Sequence, residues 1–455
     1  MTTVQMVPVR WRGAGPAGLK IFCCFLVPAF AVAQSAPDMR QILERLQRLE
    51  DQNRALSEEI HQLRQELAAT RVQTQAASPG LEERVDVQQT RTEELAQTKV
   101  GSSQHFPLRL TGMALFNGFL NSKGSGGEQY PTFAWPGAKA SGGGSLRQTT
   151  IGLEYSGPEI FWGGKVHGSV FMDFWGGSGA SLDQDFRLRT GSIQVDWKDR
   201  SVMAGVETPI IAQRQPASLA QVAFSPLTGA GNLWLWIPQV RFEQRLRFND
   251  QSGIRAQIGV VQTSEVQSYQ STAYSGAPAR PGLEGRFELY HGSADGRRIE
   301  VAPGFHTSTT HVLEYSIPSN LFSIDWLARP WRKLELTGTF FKGKDLSPLG
   351  GLQQGYTVYN WRYAIPVHGQ GGWAQLTYTA TPRLSFHFFS GLEDDRDRDL
   401  RYGGIGRNWE YGANLYLRLA PNVLLGLETS QIRTTFIQNG ALLNNHYDLA
   451  LAYLF

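Results

Sequence analysis

At 455 residues the chain exceeds one average domain, with 41% hydrophobic and 18% charged residues and a formal charge of +3. Its mean hydropathy of −0.29, together with the absence of any run near ~18 apolar residues, excludes helical membrane spans. The 49 glycines and the 12 Trp, 15 Tyr and 24 Phe suit the turns and interfacial rings of an all-β protein, soluble sandwich and membrane barrel alike.

Residues 1–33 read as a signal peptide. Arg10, Arg12 and Lys20 form its basic region, 21–30 its apolar core, and Ala31-Val32-Ala33 its cleavage pattern, leaving Gln34 as the first mature residue. That core is too short to span a bilayer. Both cysteines, Cys23 and Cys24, lie inside it, so disulfide, thiolate and Cys-metal chemistry are closed to the mature chain. Removing the three basic residues lowers Lys+Arg from 43 to 40, against 40 Asp+Glu. A neutral mature protein lacks the basic footprint that nucleic acid requires.

From Met39 the pattern turns heptad. Met39, Leu46, Asn53, Ile60 and Leu67 occupy a, and Ile42, Leu49, Leu56 and Leu63 occupy d. The g-to-e pairs Arg45–Glu50 and Glu59–Arg64 have opposite signs, which suits parallel chains. Residues 34–75 are therefore expected to form a self-associating coiled coil, of two or three strands. Residues 76–104 follow as a linker, broken at Ser78-Pro79-Gly80 and carrying a weak polar helix with Leu81, Val85 and Leu95 as its apolar points. The charge balance changes sign near Val100-Gly101-Ser102, and residues 105–455 form the remaining domain.

In that domain, period-two alternation places strands over 108–118, 147–155, 165–175, 186–197, 201–207, 239–248, 253–263, 282–291, 298–305, 321–328, 333–341, 371–379, 383–392, 407–419, 423–430 and 445–455. Their connections alternate, long then short. In the closing strand Tyr447, Leu449, Leu451, Tyr453 and Phe455 share one face; His446, Asp448, Ala450, Ala452 and Leu454 share the other. A greasy face ending on an aromatic residue suits lipid. The expectation is all-β: a 16-stranded antiparallel transmembrane β-barrel with an N-terminal α-helical coiled coil, both barrel ends lying on the side of the short turns.

This closing strand resembles that of bacterial outer-membrane β-barrel proteins. The whole organisation, with the stretches Phe341-Lys342-Gly343-Lys344 and Gly350-Gly351-Leu352-Gln353-Gln354-Gly355, resembles the DcaP-like trimeric porins, and more distantly the phosphate-selective porins. The resemblance implies a homotrimeric diffusion channel in outer-membrane lipid, with its coiled coil in the periplasm and no enzymatic activity. It also implies that Tyr453 and Phe455 are read by the barrel assembly machinery.

A barrel of this size encloses water, so inward positions are expected to be polar. Arg241, Glu243, Arg245 and Arg247 alternate against Val240, Phe242, Leu246 and Phe248; Glu284, Arg286, Glu288 and Tyr290 against Gly285, Phe287 and Leu289; and Asn408, Glu410, Asn414 and Arg418 against Trp409, Tyr411, Leu415 and Leu417. An arginine on the lipid face costs about 2–4 kcal/mol at the midplane, so these charges belong to the lumen. The segment 208–238 exceeds the ~12–15 residues of an ordinary loop and is the third long connection, the one that folds inward in general porins.

Arg214 on that segment, with the ladder Arg241, Arg245 and Arg247, is expected to form a positive constriction favouring small anionic or neutral solutes; the family resemblance implies dicarboxylates among them. Arg286, Glu243 and Glu288 line the same wall. The competing reading pairs these arginines with Glu243, Glu284 and Glu288, merely solvating the wall. Other candidates are bland. The run Asp394–Asp399 is neutralised by Arg396 and Arg398, and His306 and His311 lack metal-ligand spacing. No G-x-S-x-G setting occurs, and Gly142-Gly143-Gly144 lacks a following Lys-Ser/Thr. No catalytic residue, metal or cofactor is expected. The alternative function is an envelope-structural protein with a non-conducting barrel anchor and a coiled-coil tether.

Overall fold

A computed structural model describes residues 107–455 except 138, 178–183, 263–276, 294–295, 313, 353 and 361–362. The signal peptide, coiled coil and linker lie outside the described residues.

The strands are β1 (Leu108–Asn121), β2 (Ser141–Ser145), β3 (Thr150–Ile160), β4 (Gly164–Gly176), β5 (Asp185–Asp196), β6 (Arg200–Glu207), β7 (Ile237–Arg247), β8 (Ser252–Val261), β9 (Ala277–Gly292) and β10 (Arg298–Val312). They continue as β11 (Tyr315–Trp331), β12 (Leu334–Lys344), β13 (Tyr356–Tyr359), β14 (Tyr363–Pro366), β15 (His368–Thr381), β16 (Leu384–Asp395), β17 (Ile405–Ala420), β18 (Val423–Phe436) and β19 (Gly440–Leu454). Each pairs antiparallel with its sequence neighbour along the barrel, and β19 returns to β1, from Met113↔Leu454 to Asn121↔His446. β2 and β3 pair with the two ends of β1, together filling one wall position. β13 and β14 form a separate hairpin. The wall is thus a closed sixteen-stranded barrel, as expected.

Alternation sets the two faces. Tyr447, Leu449, Leu451, Tyr453 and Phe455 are exposed outward, while His446, Asp448, Ala450 and Ala452 are buried inward. The outward apolar residues, from Leu108 and Leu110 through Val240 and Phe242 to Leu427, form the band that lipid must cover. The barrel therefore spans a membrane. Phe455 closes the seam: its N–H and C=O both bond to Gly112, at 3.1 and 3.0 Å. A Cβ on Gly112 would meet the Phe455 ring at 2.8 Å and Thr150 O at 2.4 Å, so only glycine admits the seam at this point.

Two expected long connections are instead strand. The loop expected through Pro318 is part of a ladder running from Arg298↔Arg329 to Val312↔Tyr315, with Pro318 opposite Thr309. The final loop is three residues, 437–439, because β18 and β19 pair as far as Phe436↔Gly440. These extensions rise beyond the apolar band, where nothing greasy is needed outside, so the period-two signal fades although pairing continues. The strand ends from which the longer connections leave, those after β1, β4, β6, β8, β12 and β16, stand at one end. The short turns, residue 107 and Phe455 stand at the other.

Candidate functional site

The third long loop, 208–236, carries Arg214 as its single charged residue and no Asp or Glu. Both of its ends are fixed by apolar packing: Ile210, Ile211 and Ala212, then Leu233 and Ile237, are buried with Val261, Leu321, Phe341 and Leu349. Each such side chain contributes about 1.5–3 kcal/mol. Glu284 of β9 accepts the Ile210 N–H at 2.6 Å and faces His306 Nδ1 at 2.9 Å.

Between these ends the loop crosses the lumen, and wall amides meet its backbone. Gln375 accepts Ala217 N–H at 2.8 Å, Asn414 donates to Ala217 O at 2.9 Å, and Asn117 donates to Leu219 O at 2.9 Å. Gln148 donates to Ala220 O at 2.6 Å and accepts from Val222 and Ala223 N–H at 2.7 and 2.9 Å. Arg187 and Arg189 of β5 donate to Ala223 O and Val222 O at 2.8 and 2.7 Å, and Asn408 of β17 donates to Gly229 O at 3.0 Å. Backbone groups taken out of water must find partners, which gives this wall its Asn and Gln. Gly231, at φ 92°, passes so close to the wall that a Cβ would lie 2.3 Å from Gly372 O and 2.6 Å from Leu392 O.

Where the loop lies on the wall, acids are covered. Glu428 accepts from Ser218 Oγ at 2.6 Å and Asn414 Nδ2 at 3.0 Å, and Gln221 Nε2 approaches Glu410 at 3.5 Å. Glu393 accepts the Leu352 N–H at 2.7 Å from loop 345–367. Asp448 accepts from Asn117 at 3.0 Å and from the Tyr130 hydroxyl, on loop 122–140, at 3.5 Å. Burial pushes the Tyr130 hydroxyl up, keeping it a neutral donor. All four carboxylates are buried.

The expected constriction residues divide into three groups. Arg214 reaches β9–β11, where Nε lies 2.7 Å from Asp325, Nη2 lies 3.6 Å from Glu288, and Glu300 takes a further bond. Arg286, fully buried, forks onto Asp325 at 2.7 and 2.8 Å and reaches Glu288 at 2.8 Å. Arg214 is therefore the latch of the loop, not the free cation of the constriction. Arg241 donates to Gln213 Oε1 of the loop at 3.3 Å. Arg245 pairs with Glu243 at 2.6 Å, and Gln257 completes that carboxylate at 2.8 Å. Arg247 stands at the short-turn end, 3.8 Å from Asp199, away from the loop.

Several pairs that remain near water share one asymmetry, which Arg329–Glu335, at 26% against 27%, lacks. Arg187 and Arg189 meet Asp173 at 2.7 and 3.6 Å, with side-chain exposures of 28% and 16% against 0%. Arg255 meets Glu288 at 2.6 Å, 36% against 2%. Arg245 and Glu243 stand at 33% against 7%, and Arg298 and Glu300 at 22% against 8%. In each, the carboxylate is behind and the guanidinium in front. Aromatic rings orient three guanidinium groups: Arg147 lies 4.4 Å over Trp175, and Arg187 and Arg189 lie 5.4 and 4.9 Å over Trp236, within cation–π range.

Sequence reasoning missed Arg187 and Arg189, and the reason is local. The β4–β5 register passes from Phe171↔Thr190 to Met172↔Leu188, a bulge that flips the parity of β5. Phe186, Leu188 and Ile193 are all outward despite their mixed parity, which makes the register of 186–197 ambiguous in sequence. Asp325 and Glu300 lie in predicted strands, but only the fold places them opposite Arg214. Among the described residues, no group of three or more His, Cys, Asp or Glu could hold a metal ion.

A sixteen-stranded transmembrane barrel with its third long loop folded into the lumen is a porin-type fold. The outer membrane channel DcaP of Acinetobacter baumannii is similar over 76% of this chain and 97% of its own, with a TM-score of 0.63 and 14% identity. An anion-selective porin from Comamonas acidovorans matches over 76% and 99%, with a TM-score of 0.51 and 11% identity. The expected likeness to DcaP-like porins holds at the level of the fold. No protein-family model matches the chain, nor does any curated protein.

Proposed function

We propose that this protein is a homotrimeric outer-membrane porin through which small hydrophilic solutes diffuse passively, with preference for anions such as dicarboxylates. The preference is carried by one observation: in the lumen ion pairs of Asp173, Glu243, Glu288 and Glu300, the carboxylate is buried and the guanidinium faces the lumen. A loop without acids covers Glu410 and Glu428 of the opposite wall. A passing solute meets Arg187, Arg189, Arg241, Arg245, Arg255 and Arg298 on one side and neutral backbone on the other. Paired formal charges hide this bias, since distance and desolvation weight the nearer charge. No covalent step is involved; the barrel sieves by width and sign.

Planar-bilayer recording on the folded assembly tests both levels. Discrete conductance steps with a reversal potential favouring chloride over potassium are expected. A silent barrel would favour the envelope-structural reading, and a cation-selective one would remove the anion preference.

A further inference from the structure

Arg187 and Arg189 both point into the lumen from β5, and they share Asp173 unequally. Arg187 grips that carboxylate with two bonds, from Nε at 3.1 Å and from Nη2 at 2.7 Å. Arg189 Nη1 stays 3.6 Å away, beyond hydrogen-bond reach, and has no hydrogen-bond acceptor of its own. Its Nη2 donates to Val222 O of the third long loop at 2.7 Å. Two like charges beside a single acid repel one another. The acid alone does not keep Arg189 in place.

The indole of Trp236 supplies the missing hold. Arg189 Cζ lies 4.9 Å from its ring centre and Arg187 Cζ 5.4 Å, so one aromatic residue draws both guanidinium groups. Trp236 immediately precedes the buried Ile237, where β7 begins. The ring is also braced from behind. Trp234 meets it edge-on at 5.6 Å, and Phe224 meets Trp234 in the same way at 5.8 Å. Leu235 N–H bonds to Leu349 O at 3.3 Å, and a Cβ on Gly350 would lie 3.0 Å from Trp234 Cδ1. Loop 345–367 therefore backs the segment that carries the ring.

We propose that Trp236 is a positioning residue that sets the anion preference by holding Arg189 forward into the lumen. The inference rests on that preference and names what maintains it on β5. Without the ring, Arg189 falls back toward Asp173, where its charge is cancelled, and the positive edge loses one cation. Phe224 lies near Arg187 alone, at 5.7 Å, and does not replace the ring for Arg189.

The test is a double-mutant cycle recorded in planar bilayers on the full-length assembly, with Trp236→Leu, Arg189→Ala, the two combined, and Trp236→Phe. Heat-modifiable migration shows that each variant is folded. Arg189→Ala should lower the chloride-to-potassium permeability ratio about twofold. Trp236→Leu should lower it by a similar factor, and the combined variant no further, because both changes remove one interaction. Trp236→Phe, which keeps a ring, should retain most of the natural ratio. An unchanged ratio in Trp236→Leu overturns the proposal. So does a Trp236→Leu effect that persists undiminished on the Arg189→Ala background, or a Trp236→Phe that behaves like Trp236→Leu; a purely structural tryptophan predicts these. An anion-selective natural protein whose ratio ignores Arg189→Ala overturns the positioning role and leaves the preference standing. A cation-selective natural protein overturns the preference itself.

Discussion

The two halves of the lumen wall both carry buried carboxylates and compensate them in opposite ways. On β16–β19, Glu393, Glu410, Glu428 and Asp448 are covered by loops 122–140, 208–236 and 345–367, and each is held by neutral donors. On β4–β11, acids of the same kind are held by arginines that stand in front of them. A carboxylate beneath amides and a carboxylate behind a guanidinium are both removed from a solute's path. Only the second leaves a positive edge in place, so net charge of the wall is a poor guide to what a solute meets.

The comparison breaks most visibly if the charge hub of the open half is opened. Arg286→Ala leaves Asp325 and Glu288 buried with one cation fewer, and loss of one buried partner costs about 3–5 kcal/mol. The expected result is a clear fall in the denaturant or thermal midpoint of the folded barrel; an unchanged midpoint would show that Arg214 and Arg255 suffice. Next in size is Gly231→Val, which drives a side chain against Gly372 O and Leu392 O at a φ of 92°. Displacing the loop from the covered half should uncover Glu410 and Glu428, changing single-channel conductance and shifting reversal potential toward cations.

Selectivity should respond to the double change Arg187→Ala/Arg189→Ala, which removes two front guanidinium groups and leaves Asp173 without them. A several-fold fall in the chloride-to-potassium permeability ratio is expected, accompanied by a lower stability midpoint. Smallest is Glu428→Gln. This carboxylate sits under Ser218 and Asn414, so its loss should leave reversal potential within error of the natural protein. A marked gain of anion preference in Glu428→Gln would mean that the covered half still speaks to the pore.

Legibility followed the membrane band. Where lipid demands an apolar exterior, alternation was readable: Val240, Phe242, Leu246 and Phe248 face out while Arg241, Glu243 and Arg245 face in. It failed above the band, where β10–β11 and β18–β19 continue without a regular outward row of apolar residues, and at the β5 bulge that hid Arg187 and Arg189. The loop across the lumen was legible as a segment, since 208–238 is too long and too apolar for a plain connector. The partners of Arg214 were only partly legible: Glu288 stood among the acids of the competing reading, whereas Glu300 and Asp325 did not.

The sequence by itself determined the barrel, its strand number, its two faces and the identity of the closing strand, because a two-residue period read against lipid is a local rule that each strand obeys alone. Only the tertiary structure decided which charges meet water. Arg214 and Asp325 are 111 residues apart, Ser218 and Glu428 are 210 apart, and the order of acid and guanidinium along a line of sight into the lumen exists only once sixteen strands have closed around the loop.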